Sequence, residues 1–288
     1  YRWEWVLADE RISGYEWATQ LEARKTVSCE VERYDVTETA ELHESIRQAS
    51  KSLEGFADDI DVHQILYDKV GQAAIKKQAK VSPDGFVQLA IQLTWRRLHG
   101  GVVPVYEPCM MRLFLKGRTD TIRSVTDESA AFTEQFDNAE TTNDQKRRLL
   151  ANAVFVHSKQ TRQNMAFGGI DRHLFGLAVL AMGLNSKFGW FAQETAFLKS
   201  ALTRPWTISS SQVPQSQLTS VGLDEDMNVP GLGGFGAVDK TGYGVGYCFI
   251  GKNRVMLTVT SYHSCERTSS QRFFEALTQS VEDMMAIC

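Results

Sequence analysis

Between residues 82 and 106 the chain spells out a helix, a two-glycine stop and a strand, and this succession restricts the fold more than any other stretch. Ser82-Pro83-Asp84 supplies an N-cap hydroxyl, a proline at the first helical position, where its missing N–H costs nothing, and a carboxylate near the positive helix end. Phe86, Leu89, Ala90 and Leu93 follow at helical spacing as an apolar stripe, and Gly100-Gly101 stop the helix. Val102-Val103-Pro104-Val105-Tyr106 then reads as a short strand, with Pro104 marking either a sheet edge or the strand's beginning. A helix passing straight into a strand calls for helix and sheet layers around one core, an α/β class.

The rest of the chain fits that class. Leu42, Ile46, Ala49, Leu53 and Phe56 mark one face of a helix from Glu38 to about Asp59. Leu149, Leu150, Ala153, Val156 and Gln160 mark another from Asn143 to about Phe167. Strand-like runs occupy Trp206–Val213, Gly246–Ile250 and Val255–Tyr262, and an amphipathic helix from about Ser269 to Met285 closes the chain. The expected architecture is a mixed β-sheet flanked by helices, carried by residues 37–288. Residues 1–36, rich in Trp, Glu and Arg without a clean period, read as a connecting segment, and the polar stretch Gln215 to Asn228 as a surface loop.

Charge and cysteine usage narrow the function. The 31 basic and 35 acidic residues leave a net charge of −4, which offers no broad attraction to nucleic acid or anionic membrane, so any phosphate site must be local. Cys29, Cys109, Cys248, Cys265 and Cys288 are odd in number, widely spaced and without a C-x-x-C pair, so reduced thiols are expected and no metal site. No apolar run approaches the ~20 residues needed to cross a bilayer, so an anchoring segment, if the protein has one, is expected before Tyr1.

The chemistry concentrates in Ile208-Ser209-Ser210-Ser211-Gln212-Val213-Pro214, followed by Gly233-Gly234-Phe235-Gly236 and Gly242-Tyr243-Gly244-Val245. Hydroxyls, then flexible backbone, then an aromatic can shape a site for acyl transfer. Upstream stand Ile75-Lys76-Lys77, Ser82-Pro83-Asp84, Tyr106-Glu107, the run Gly117-Arg118-Thr119-Asp120-Thr121-Ile122-Arg123-Ser124, and Asp171-Arg172-His173-Leu174. In this order, over roughly residues 60 to 285, these segments resemble the carnitine/choline acyltransferase family. The resemblance implies a two-lobed fold related to chloramphenicol acetyltransferase, with the active site in a tunnel between lobes. This chain would be the C-terminal lobe and a stub of the other.

By the same resemblance, Ser211 donates to the tetrahedral oxyanion formed when carnitine's hydroxylate attacks the thioester, a contribution of roughly 10²–10³ in rate. Ser209 contacts the carnitine end, and Phe235 lies near the quaternary ammonium, an attraction of roughly 0.5–2 kcal/mol. Arg172, with Thr119 and Tyr106, would hold carnitine's carboxylate. A buried guanidinium left unpaired costs several kcal/mol, so an arginine there suits carnitine and not choline. Gly233 leaves the acyl pocket open and favours long-chain, palmitoyl-type acyl groups. Lys76, Asp84 and Gln212 fall to coenzyme A, the co-substrate; no permanently bound cofactor is expected. Mitochondrial, membrane-associated localisation follows from the family alone. Two positions depart from the pattern: Gln72 stands where some relatives carry a second phosphate lysine, and Pro108 where some carry a serine.

Taken singly, each residue has a plainer role: serines can satisfy local backbone groups, Phe235 can fill core, Lys76-Lys77 can be solvated surface, and Arg172 can pair with a surface acid. None of the six histidines, His43, His63, His99, His157, His173 and His263, is followed by the small residues and Asp that surround the family's catalytic base. Each is expected to be structural or exposed, and the base to lie upstream of Tyr1. The expected function is therefore long-chain carnitine O-acyl transfer, with this chain alone inactive. The alternatives are a choline or short-chain carnitine acetyltransferase and a non-catalytic acyl-CoA- or carnitine-binding module.

Overall fold

The computed structural model describes residues 37, 39–188, 195–212 and 234–288; the connecting segment 1–36, the polar loop 215–228 and Gly233 lie outside them. In chain order the elements are α1 (Ala40–Asp59), β1 (Ile60–Tyr67), α2 (Gln72–Ala74), a π-helical turn (Ile75–Ala79), α3 (Pro83–His99), β2 (Val105–Met110), β3 (Thr119–Arg123), α4 (Asp127–Phe136), α5 (Asn143–Met165), α6 (Ile170–Phe188), α7 (Thr195–Thr203), β4 (Ile208–Gln212), β5 (Tyr243–Ile250), β6 (Arg254–Tyr262) and α8 (Ser270–Ala286). Two compact units are distinguished, Tyr1–Ser52 and Leu53–Cys288, and apart from the first part of α1 everything below concerns the second.

The six strands form one mixed sheet in the order β1-β6-β5-β4-β2-β3. β4 is paired in parallel on both sides, with β5 and with β2, while the outer pairs are antiparallel. Helices flank it, an α/β class as the helix–strand alternation requires.

α3 is the axle of the core. Its N-cap Ser82 accepts from the Gly85 N–H at 3.5 Å, and Gly100 ends it at φ 79°, a conformation that favours glycine. The sequence suggests a stripe, yet every residue from Gly85 to Trp95 is buried, because the helix lies between the sheet and α4, α5 and α8. α8 contributes Phe273, Phe274, Leu277, Val281 and Met284 to the same cluster, each worth about 1.5–3 kcal/mol of burial. Thr126, Thr142 and Ser269 cap α4, α5 and α8.

Several expectations change. β2 starts at Val105 rather than Val102 and is an interior strand, so Pro104 marks its beginning and not an edge. The Gly242–Val245 run is not flexible backbone: β5 begins in it, and Gly244 is required there because an added Cβ would lie 2.4 Å from Thr260 Oγ1 and 2.8 Å from the Phe235 carbonyl. No described residue of α1 is buried, and Ile46, Leu53 and Phe56 of its apolar face are exposed. β1, β3, α4, α6 and α7 were not anticipated as elements. Among the described residues the thiols of Cys109, Cys248, Cys265 and Cys288 are free, and no helix is long and apolar enough to cross a membrane.

Candidate functional site

Period-2 alternation decides which way each hydroxyl of β4 points. Ser209 is in register with Tyr106 on one side and Gly244 on the other, and Gly244 with Thr260, so these four share a face. Ser211, two residues on from Ser209, is on that face too. Ser210 takes the other face, toward α3, with Gln212 and its register partner Tyr247. The segment carrying Phe235 crosses the Ser209 face: Thr260 Oγ1 donates to the Phe235 carbonyl at 2.7 Å. The fold therefore brings Tyr106, Ser209, Ser211 and the backbone of Phe235 together.

Beyond the sheet edge the Asp171-Arg172-His173 segment forms the first turn of α6. Arg123 donates to Asp171 from Nη2 at 2.6 Å and from Nε at 3.1 Å, and lies 5.1 Å above the Trp206 ring, which packs edge-on to Tyr106. Arg172 donates to the Thr119 carbonyl from Nη2 at 3.1 Å and from Nε at 3.3 Å, with Asp120 Oδ1 3.9 Å away. Thr119 and Arg172 are thus neighbours, joined through the threonine's carbonyl. The Arg172 side chain is 55% exposed rather than buried. It lines a cavity of about 730 Å³ with Asp120, Phe167, Ile170 and His173.

The three residues expected to serve coenzyme A separate. Lys76, exposed on the π-helical turn, donates to Gln72 Oε1 at 3.0 Å, so Gln72 is a hydrogen-bond partner of that lysine. Asp84, by contrast, accepts from the Tyr247 hydroxyl at 2.5 Å, and no ion pair joins it to Lys76. Gln212 is half-buried on the same face of the sheet as Tyr247.

Under that face lies a polar cluster that the sequence reading did not assemble. His157 Nε2 sits 2.8 and 3.0 Å from the two oxygens of Glu107, and Ser124 Oγ donates to Glu107 at 2.5 Å. Glu107 and His157 are 5% and 4% exposed. Asp84, Glu107 and His157 each offer an oxygen or nitrogen within 4.8 Å of the others, a set that could also hold a metal ion. Gly85 lets α5 come this close: an added Cβ would stand 2.9 Å from Val154 Cγ1 and 3.2 Å from His157 Nδ1. Burial, and then the charge of Glu107, raise the Asp84 pKa above the usual carboxylate range. Burial opposes charge on His157, but the Glu107 hydrogen bond and the charges of Glu107 and Asp84 outweigh it, so that its pKa is raised. Burial first, then Asp84 and Glu107, push the Tyr247 phenol far up.

A signal for this cluster was present in Asp84, Gln88 and Gln92, a polar line at four-residue spacing on an otherwise apolar helix. Buried amides need partners: Gln88 finds its in Ser210 and Tyr247, while Gln92 Nε2 donates to the Ser124 carbonyl and its Oε1 has no partner among the described residues.

Comparison with known proteins adds the following. The family model described as Choline/Carnitine o-acyltransferase matches residues 5–279. The human carnitine O-palmitoyltransferase 1, liver isoform, is 37% identical over 248 residues, covering 86% of this chain and 31% of that protein. The pigeon (Columba livia) carnitine O-acetyltransferase is 31% identical over 249 residues, covering 86% and 37%. The chain thus spans about a third of the length of the curated relatives it matches. Among solved structures, PapA2 acyl transferase gives a TM-score of 0.42 at 10% identity, covering 86% of this chain and 52% of that one.

Proposed function

The chain belongs to the choline/carnitine O-acyltransferase family, and on that premise we propose that it is the C-terminal part of a long-chain carnitine O-acyltransferase. Residues 37–288 would be the C-terminal acyltransferase lobe and residues 1–36 the connection to the other lobe. The reaction is transfer of a fatty acyl group between coenzyme A and L-carnitine in a ternary complex, without a covalent acyl-enzyme. The C–S bond of the thioester breaks as the carnitine hydroxyl oxygen forms the ester, and the hydroxyl proton passes by way of the base to the departing thiolate. Localisation at mitochondrial membranes belongs to the same proposal.

The observation that carries it is the common face of Ser209, Ser211 and Tyr106, with Phe235 across it. Ser211 would donate to the oxyanion there, the place where a positioned donor contributes about 3–4 kcal/mol. Arg172 would take the carnitine carboxylate with its outward-facing N–H groups, its Nε and Nη2 already oriented by the Thr119 carbonyl. The general base would come from outside these 288 residues. In support, His157 is engaged with Glu107, His99 stacks on Trp95 at 4.3 Å, and His63 packs on Phe274 at 4.8 Å.

Thiol release from palmitoyl-CoA on adding L-carnitine tests this, with and without the N-terminal portion of the protein. Release by the longer protein and none by this chain alone is expected. Release by this chain alone would put the base among its own histidines. Release with choline or only with acetyl-CoA would replace the long-chain carnitine assignment.

A further inference from the structure

The serine strand loses one neighbour halfway along its length. β4 pairs with β2 only at Ile208 and Ser209, and from Ser210 to Gln212 it is paired with β5 alone. The reason is chemical. The Pro104 carbonyl accepts from the Ile208 N–H at 3.3 Å, so β2 turns the polar groups of Pro104, and two residues on those of Tyr106, toward β4. Pro108 comes next on that side and has no N–H to give. Where the ladder stops, a side chain takes over: Ser210 Oγ donates to the Tyr106 carbonyl at 2.9 Å.

Ser210 is in turn the end of a chain of contacts through the core. Gln88 Nε2 lies 3.0 Å from Ser210 Oγ and 3.0 Å from the Tyr247 hydroxyl, serving each with one of its two hydrogens. Tyr247 donates to Asp84 Oδ1 at 2.5 Å, and Asp84 adjoins the buried Glu107–His157 pair. Gln88 is fully buried, and Ser210 and Tyr247 are 1% and 2% exposed, so no water competes for these bonds.

We propose that Asp84, Glu107 and His157 are positioning residues, which by fixing the Tyr247 hydroxyl and through it Gln88 and Ser210 set where Ser209 and Ser211 stand on the opposite face. The proposal deepens the acyl-transfer reading of Ser211 and rests on it for its catalytic consequence. The three groups come from three elements, α3, β2 and α5; Asp84 is bonded to β5 through Tyr247, and Glu107 and His157 stand beside Asp84. Among the described residues, the end of β4 beyond Ser209 is held on its β2 side by Ser210 Oγ on the Tyr106 carbonyl, and the cluster reaches Ser210 by way of Tyr247 and Gln88 and, beside that, by way of Tyr106, the chain neighbour of Glu107.

The test is Tyr247→Phe, which removes the hydroxyl and keeps the ring, beside Glu107→Gln, both in the intact protein. Amide hydrogen exchange is read over 208–212 and, for reference, over β6. We expect exchange at least about tenfold faster at 208–212 in Tyr247→Phe, with β6 unchanged. Equal acceleration of both strands, or of neither, would overturn the proposal. In steady-state kinetics kcat is expected to fall about tenfold with KM for palmitoyl-CoA unchanged; a rise in that KM with kcat unchanged counts against it. If the wild-type protein transfers no acyl group, the functional reading fails while the exchange result still decides the positioning claim. A stoichiometric divalent ion bound by the purified protein and lost on Asp84→Asn would replace the hydrogen-bond account with a metal centre.

Discussion

Replacing Glu107 with glutamine keeps the shape of the buried cluster and deletes its charge. His157 can still donate from Nε2 to the amide oxygen, and Ser124 Oγ still has a partner, so what is lost is the counter-charge of a histidine whose side chain is 5% exposed. Breaking a buried pair in this way typically costs about 3–5 kcal/mol. That cost depends on pH with a definite sign. In the wild type the His157 pKa is raised, so the pair's stabilisation is fully present below the ordinary histidine value of about 6.5 and is lost as pH rises through the folded value. In Glu107→Gln the burial of His157 is left without its largest opponent, and holding the proton becomes a burden below that same pH. The destabilisation should therefore be about 3–5 kcal/mol at pH 5.5 and about 1–2 kcal/mol at pH 8.5, where a neutral imidazole needs no counter-ion. At 2–4 °C per kcal/mol the acidic difference is a melting shift of roughly 6–20 °C. Thermal melts of the intact protein and the variant at the two pH values decide it. An equal loss at both, or a larger loss at pH 8.5, would refute a charged Glu107–His157 pair.

Asp84→Asn should flatten another part of the pH profile: the carboxyl has a raised folded pKa, so its contribution is present below about 4 and is lost as pH rises through the folded value. The variant's melting point should then gain on the wild type's between pH 4 and neutrality, and a constant difference would count against it. Arg172→Asn should raise KM for carnitine about tenfold or more, the loss of one charge-assisted contact, with KM for palmitoyl-CoA within about twofold; parallel rises in both would remove the carboxylate role. Gly233→Met should shift preference toward short acyl chains, and an unchanged chain-length profile would dismiss the open acyl pocket. Gly244→Val should cost about 1–3 kcal/mol from overpacking, because its Cβ would meet Thr260 Oγ1 and the Phe235 carbonyl; a melting point within 1 °C of wild type, a bound set by that magnitude, would contradict the close crossing.

What the sequence made legible was whatever it encodes locally. Ser82-Pro83 and Gly100 bound α3 to the residue, and the Leu149, Leu150, Ala153 pattern located α5, because caps and helical spacing act within a turn or two. β1 and β3 escaped because their patterns are set by strands far away: Val62 and Ile65 are exposed, so alternation says little about them. The strand after Gly101 was placed three residues early because Val102 and Val103 have strand-forming side chains but lie outside the ladder. The sequence placed Ser209 and Ser211 in a strand only; that they share a face with Tyr106 comes from the register of β4 with β2 and β5. The Glu107–His157 pair joins residues fifty positions apart through the crossing of α5 over β2, which no local pattern records. For the same reason His157 could be called structural without its partner being known.

The register of β4 bears also on how the molecule comes to exist. The strand carrying the serines sits beside β2 across about a hundred residues of chain, and β1 meets β6 across about two hundred. Closing such loops costs chain entropy that grows with the logarithm of their length, about 0.6 kcal/mol for each doubling, and none of it is returned until both partners are in place. Topologies of this sort fold slowly, because distant pairings must precede the reward. A ribosome emitting the chain can complete α3 and α5 early, but the sheet must wait for residues 254–262. The serine strand is thus among the last parts to be fixed, and any truncation before β6 leaves β5 and β1 with open edges, the kind of surface on which newly made chains aggregate.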